Sequence, residues 1–203
     1  MNLVAGGKWT TLLFNPFVYV AGGQALGLGV AAIVVAGLAG FMSHTHFDGV
    51  LDTHVGSPAS VAFFLAEGFI DWLSLALVLL VLGKIISKTS FRTIDVLGTQ
   101  ALARWPTILL ALITLPPAFQ RYNQALVEQV KRNPLQPPVF SPDAIYFFVA
   151  ALLMLPLLIW MIALMYNAYS VSCNVRGGKA VATFTVGVIL AEILSKFIIY
   201  ALR

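Results

Sequence analysis

Apolar residues occupy this chain in five long blocks, separated by short segments that carry the charges, prolines and glycine pairs. No charged side chain occurs from Ala25 to Met42, and with residues 21–24 added the run matches the roughly 20 residues that cross a bilayer core. Further blocks run over about 58–83, 94–115, 144–169 and 180–201. The pattern predicts an all-α fold: one polytopic transmembrane helix bundle of five spans (about 21–42, 58–83, 94–115, 144–169 and 180–201), filling residues 1–203 as a single domain.

The punctuation between blocks sharpens the boundaries. Residues 1–20, with Lys8, Trp9, Phe14, Pro16 and Tyr19, read as an interfacial lead-in whose aromatics sit at headgroup level. The first apolar run begins after that lead-in and lacks a good cleavage site, so it reads as a retained helix rather than a signal peptide. In it Gly23 and Gly27, and separately Ala32, Ala36 and Gly40, recur at intervals of four, a spacing that lets helices approach closely. Ser57-Pro58 predicts the start of the second helix, with a hydroxyl at the cap and proline where its missing N–H costs nothing. Lys84, Lys88 and Arg92 follow that span, opposed by Asp95. Pro106 breaks the third span and Pro116-Pro117 ends it. A polar loop over 118–143, with Pro134, Pro137 and Pro138, holds a short surface helix in its 120–132 part. Pro156 lies at the centre of the fourth span, and Arg176-Gly177-Gly178-Lys179 reads as a tight turn. No internal repeat is strong enough to predict an inverted-repeat transporter.

Composition agrees with the pattern. Hydrophobic residues make up 60% of the chain and charged residues 10%, against roughly 25% charged in a typical soluble domain. The net charge of +4 does not point to nucleic acid, because the basic residues sit between apolar runs, as at cytoplasmic loop ends. An N-terminus inside the cell puts Lys8, Lys84, Lys88, Arg92, Arg176 and Lys179 in the cytoplasm, and Arg121, Lys131, Arg132 and Arg203 outside. That majority, together with a first loop free of lysine and arginine, predicts a cytoplasmic N-terminus. Cys173 is the single cysteine, so no intrachain disulfide forms; it reads as a small apolar residue rather than an acylation site.

Five charges fall within the spans: Glu67, Asp71, Arg104, Glu192 and Lys196. An ionised group at mid-bilayer costs at least ~2.5–3.5 kcal/mol, so such groups face the bundle interior and find partners. Counting helical rise inward from Pro58 puts Glu67 about 13 Å deep and Asp71 about 20 Å; counting from Asp95 puts Arg104 at a similar level. Glu67, Asp71 and Ser74 share one face of the second span, and Gln100, Arg104, Thr107, Ala111 and Thr114 line one side of the third. Pro106 cannot donate to the carbonyl of Leu102, which leaves an acceptor free beside Arg104. Glu192 and Lys196 form an i, i+4 acid–base pair. Glu67 and Asp71 repel each other and need Arg104, Lys196 or a proton. This intramembrane polar network reads either as an ion-pair system fixing helix assembly or as a path for a proton, ion or small solute.

The first outer loop carries a second cluster: His44, His46, Asp48, Asp52 and His54. Imidazole and carboxylate are zinc ligands, and in an extended segment His44, His46 and Asp48 point to one face. The spacing matches no standard metal motif and Asp48-Gly49 is an ordinary turn signal, so the reading is a solvated or substrate-facing loop with no metal or cofactor. No nucleophile elbow, phosphate loop, His-Glu-x-x-His or Cys-x-x-Cys occurs, so no catalysis is expected.

Three stretches carry a resemblance. Asn15-Pro16-Phe17 in the lead-in, Phe47-Asp48-Gly49-Val50-Leu51-Asp52-Thr53-His54 in the outer loop, and Gly83-Lys84-Ile85-Ile86 followed by Arg92-Thr93-Ile94-Asp95-Val96-Leu97 and Arg104-Trp105-Pro106 resemble bacterial members of the Yip (Ypt-interacting protein) domain family. The resemblance covers most of the chain through mainly apolar motifs. It implies a five-helix bundle with a cytoplasmic N-terminus in a bacterial cytoplasmic (inner) membrane. Eukaryotic relatives act in vesicle traffic through Rab GTPases, but the chain lacks their long cytosolic N-terminal region and their Asp-Leu-Tyr-Gly-Pro-type motif, so GTPase binding does not carry over. The expected function is a membrane scaffold or interaction protein whose partners are the lipid bilayer and other membrane proteins or itself. The alternative is a small-solute or ion permease using the charges of the second, third and fifth spans.

Overall fold

A computed structural model describes residues 4–134 and 140–203, with side-chain surroundings from Trp9 onward; Pro137 and Pro138 lie outside the described residues. The chain runs α1 (Val4–Phe14), a 3-10 turn (Pro16–Val18), α2 (Gly22–Ser43), a two-stranded ladder of β1 (Thr45–His46) and β2 (His54–Val55), then α3 (Val61–Ile86). It continues with α4 (Thr93–Ala103), α5 (Thr107–Thr114), α6 (Pro117–Arg132), α7 (Pro142–Ser172) and α8 (Gly177–Leu202). Among the described residues, five spans are long and apolar enough to cross a membrane: α2, α3, the α4–α5 pair, α7 and α8. This is the all-α polytopic bundle that the hydropathy pattern predicts. The α4–α5 span is the most enclosed of the five, whereas α7 turns Leu152, Leu153, Leu155 and Ile159 outward. In a soluble protein such a face would aggregate; in a bilayer it meets acyl chains at no cost.

Several boundaries differ from the expected ones, each for a local reason. The cap of α3 is Ser60, whose hydroxyl accepts from the Phe63 N–H at 3.2 Å. Ser57-Pro58 stays outside the helix, because the Ser57 carbonyl accepts a hydrogen bond from His46 Nε2 at 2.8 Å. Gly177 is already the first residue of α8, with φ +66°. The turn sits earlier, around Asn174 at φ +52°. At Pro106 the helix tightens: the N–H groups of Arg104 and Trp105 bond to the carbonyls of Ala101 and Leu102 at 3.2 and 3.1 Å. The Leu102 carbonyl, expected to be free, is thus taken by Trp105, and α4 ends one residue before Arg104. The surface helix expected in 120–132 begins already at Pro117 and anchors Phe119 and Tyr122 against Phe147.

The lead-in is more than interfacial. Phe17 is 2% exposed and belongs to the core, while Trp9 and Tyr19 stay exposed. The carbonyls that end α1, Leu13 and Phe14, accept from Trp160 Nε1 at 2.9 Å and Asn167 Nδ2 at 2.7 Å, which docks α1 on α7. Cys173 is buried against the glycine face of α3, where a Cβ on Gly83 would lie 2.6 Å from its sulfur.

Small residues do let helices approach, but along one of the two stripes the spacing allowed. Ala25, Gly29, Ala32, Ala36 and Gly40 face inward from α2. A Cβ on Gly29 would stand 2.4 Å from the Ala101 carbonyl carbon, and one on Gly98 would stand 2.4 Å from the Gly22 oxygen. Gly23 and Gly27 meet nothing within 4 Å. Gly29→Ala should therefore force α2 and α4 apart and cost about 1–3 kcal/mol, as overpacking does. Gly27→Ala should leave the melting temperature in detergent at or above that of the parent protein. Equal melting of the two variants would contradict this packing. The ends of α3 predict a second result: single cysteines at Thr53 and Ser90 should be labelled by an impermeant reagent from opposite faces of the membrane, and labelling from one face would contradict five spans.

Candidate functional site

The loop between α2 and α3, expected to be solvated, is instead a plug. His44 closes α2 in the left-handed region, at φ +51°. The β1–β2 ladder pairs Thr45 with Val55 and His46 with His54. Residues 47–53 between the strands turn back into the bundle, leaving Phe47 4% and Val50 1% exposed. Irregular backbone at this depth survives only if protein groups take up its N–H and C=O groups. Here they do: the Val50 carbonyl accepts from Arg104 Nη1 at 3.3 Å, and the Leu51 N–H donates to Glu192 at 3.0 Å. The Phe47 N–H donates to Glu67 at 3.4 Å.

The charges fall into three groups around this plug. The deepest is Arg104 with Asp71, Nη2 to Oδ2 at 3.1 Å, with side chains 2% and 0% exposed. Ser74 and Thr107 are buried with them, and the Thr107 hydroxyl donates to the Arg104 carbonyl at 2.6 Å. The second group joins Glu67 to His46 Nδ1 at 2.9 Å and to Arg203 at 3.4 Å; Arg203 also holds Asp48 at 2.9 Å, and His54 Nδ1 lies 3.1 Å from Asp48. The third, half-exposed, joins Lys196 to Asp52 at 2.7 Å and to Glu192 at 3.2 Å.

Each predicted residue can now be placed. Asp71 and Arg104 meet as expected, and Glu192 and Lys196 pair. Glu67 does not share Arg104 or Lys196; its partners are His46 and Arg203. The cause is the shifted helix start: from Val61, Glu67 is only six residues in, about 9 Å, which is the level of the loop. Gln100 stands outside the network and bridges to α7, donating to the Met165 carbonyl at 3.0 Å. His44, His46 and Asp48 do not share a face, because the left-handed turn at His44 and the inward aim of His46 separate them. Asp48, Asp52 and His54 converge instead, one potential ligand atom of each lying within 4.8 Å of the others, with the two carboxylates already compensated by Arg203 and Lys196. Arg203 is the functional side chain that sequence reasoning left unassigned. Its place at the loop end of the fifth span, about two helix turns beyond Lys196, was the available signal.

His46 carries information beyond its distances. Both ring nitrogens face acceptors: a carboxylate at Nδ1 and the Ser57 carbonyl at Nε2. Both bonds form only if the His46–Glu67 pair holds one proton more than a neutral imidazole beside a carboxylate. Burial alone would lower the pKa of His46. The bonds to Glu67 and Ser57 and the charge of Glu67 outweigh it, against opposition from Arg203, and raise it above 6.5. The hydrogen bond from His54, helped by the charges of His54 and Arg203 and opposed by burial, lowers Asp48 to about 2.

Comparisons with protein-family models, with curated proteins and with solved structures return no match.

These shifts set opposite pH dependences. The contribution of His46 is complete below its ordinary value of 6.5 and is lost as pH rises through the raised value. That of Asp48 is complete above its ordinary value of 3.8 and is lost as pH falls towards about 2. Melting temperature in detergent should plateau between these limits and fall on the alkaline side. His46→Gln should flatten the alkaline fall; an unchanged fall in that variant would show that the loop is not held by this proton.

Proposed function

We propose that this chain is a non-catalytic scaffold or interaction protein of a bacterial cytoplasmic membrane, of the Yip-like type, with its N-terminus in the cytoplasm. The observation that carries the reading is how tightly the Arg104–Asp71 pair is packed. The cavity touching Arg104, between Gly37, Phe47, Phe64 and Thr107, holds about 10 Å³, room for one water at most. A solute pathway needs a hydrated route to these charges, whereas an assembly device needs them paired and dry. The pair ties α3, the α4–α5 span and the loop to one another, so the network acts on bundle geometry. Partners on this reading are lipid and other membrane proteins or a second copy, met through the outward faces of α7 and α8 and the loops.

A specific observation favours a second reading as an ion or small-solute permease. Among the described residues, Asp71 Oδ1 and Gln100 Oε1 are buried acceptors without a hydrogen-bond partner, and such atoms can hold a passing proton or cation.

The double-mutant cycle separates the two. Arg104→Leu should cost roughly 3–5 kcal/mol, because it strands a buried carboxylate. Adding Asp71→Asn should recover part of the loss in melting temperature. Strictly additive losses would mean that the two groups do not interact. Proteoliposomes of the parent protein should pass protons and alkali cations no faster than empty vesicles. A flux present in the parent and absent in the stabilised double variant would establish the permease instead.

A further inference from the structure

A cavity of about 560 Å³ opens at the loop end of the bundle, within the roughly 300–1,000 Å³ range of small-molecule sites. Its polar side is formed by His46, His54, Ser57 and Arg203, and Phe63 and Leu202 form an apolar side. The lining is asymmetric in charge. Arg203 and both imidazoles face the space, while Glu67 and Asp48, which compensate them, are not among the lining residues. An anion entering here meets Arg203 and the two imidazoles rather than the carboxylates that pair with them.

Donor capacity remains unused. Arg203 has five N–H groups, and its bonds to Asp48 and Glu67 both leave from Nη2, at 2.9 and 3.4 Å. Among the described residues, Nε and Nη1 have no hydrogen-bond partner. His54 spends Nδ1 on Asp48; its Nε2, also without a partner among the described residues, becomes a donor to an oxyanion when the ring is protonated. The arginine fork lies 5.7 Å from the centre of the Phe63 ring, a position that leaves its edge free for a planar or tetrahedral oxyanion. Leu202 is 60% exposed beside the mouth, so the apolar side of the cavity continues onto the lipid-facing surface.

We infer that this cavity binds a phosphate-type oxyanion, through Arg203 and His54, with an apolar substituent accommodated along Phe63 and Leu202. The chemistry fits the headgroup of an anionic lipid and also a free phosphate. The inference is independent of whether the deeper Arg104–Asp71 pair serves assembly or transport.

The test is calorimetric titration of the purified protein in neutral detergent with inorganic phosphate, with dihexanoyl phosphatidic acid, and with dihexanoyl phosphatidylcholine as the zwitterionic control, whose phosphodiester charge is offset and shielded by choline. Saturable binding of the phosphatidic acid alone supports the site and identifies a lipid headgroup. Binding of both phosphate and phosphatidic acid supports it and identifies the oxyanion itself as sufficient. Arg203→Gln should weaken either at least tenfold. Because Arg203 also braces Asp48 and Glu67, a second variant is needed. Ser57→Trp keeps the backbone carbonyl that His46 uses, and its exposed side chain would fill the cavity, so it should abolish binding while the melting temperature holds. No binding of either phosphate compound, equal binding of the phosphatidylcholine, or binding unaffected by both variants overturns the inference.

Discussion

A guanidinium placed deep within a lipid-embedded bundle has few ways to exist, and the arrangement around Arg104 follows from that constraint. The group cannot be neutralised at any accessible pH, so every N–H it buries must meet an acceptor. Asp71 supplies one across the α3 interface and the Val50 carbonyl supplies another. Satisfying the first sets the rotation of α3. Satisfying the second requires that a non-helical segment reach the same depth, which is why the first loop plugs the bundle instead of spanning its surface.

Once the loop is inside, it brings its own unsatisfied groups. The N–H of Leu51 and that of Phe47 turn to Glu192 and Glu67, so acids on two different helices act as acceptors for loop backbone as well as partners for cations. Hydroxyl pairs complete the seal. Thr45 meets Thr114 at 2.6 Å where α5 ends, and Thr99 meets Ser172 at 2.8 Å between α4 and α7. Each is a short polar tie between elements, and between α4 and α7 it is joined by the bond from Gln100 to the Met165 carbonyl. In lipid, where apolar burial does not favour one helix pairing over another, such ties and the close glycine contacts decide which helices are neighbours.

The same arrangement separates the molecule into a closely packed interior and an end that opens into a cavity. Around Arg104 the packing leaves room for one water at most. His46, His54 and Arg203 border an open cavity, and among the described residues Arg203 Nε and Nη1 have no hydrogen-bond partner.

The bundle was legible from the chain alone because a span is a one-dimensional property: about 20 apolar residues and few charges define it without reference to neighbours. The facing of Glu67, Asp71 and Ser74 and the stripe from Gln100 to Thr114 were legible for the same reason, since helical periodicity orders residues on a single element. The pair Asp71–Arg104 followed from depth counting along two such elements. What the sequence left open were matters of register between elements. Gly23 and Gly29 look alike in the chain, and only the facing of α2 against α4 chooses Gly29. Ser57 and Ser60 are both competent caps, and the bond from His46 to the Ser57 carbonyl excludes the first. That choice moves Glu67 up to the loop and away from Arg104. The inward fold of residues 47–53, and the meeting of His54 and Asp48 with Arg203, which is 155 residues from Asp48 in the chain, were decided by tertiary structure, because a buried charge recruits whatever acceptor the finished packing brings within reach.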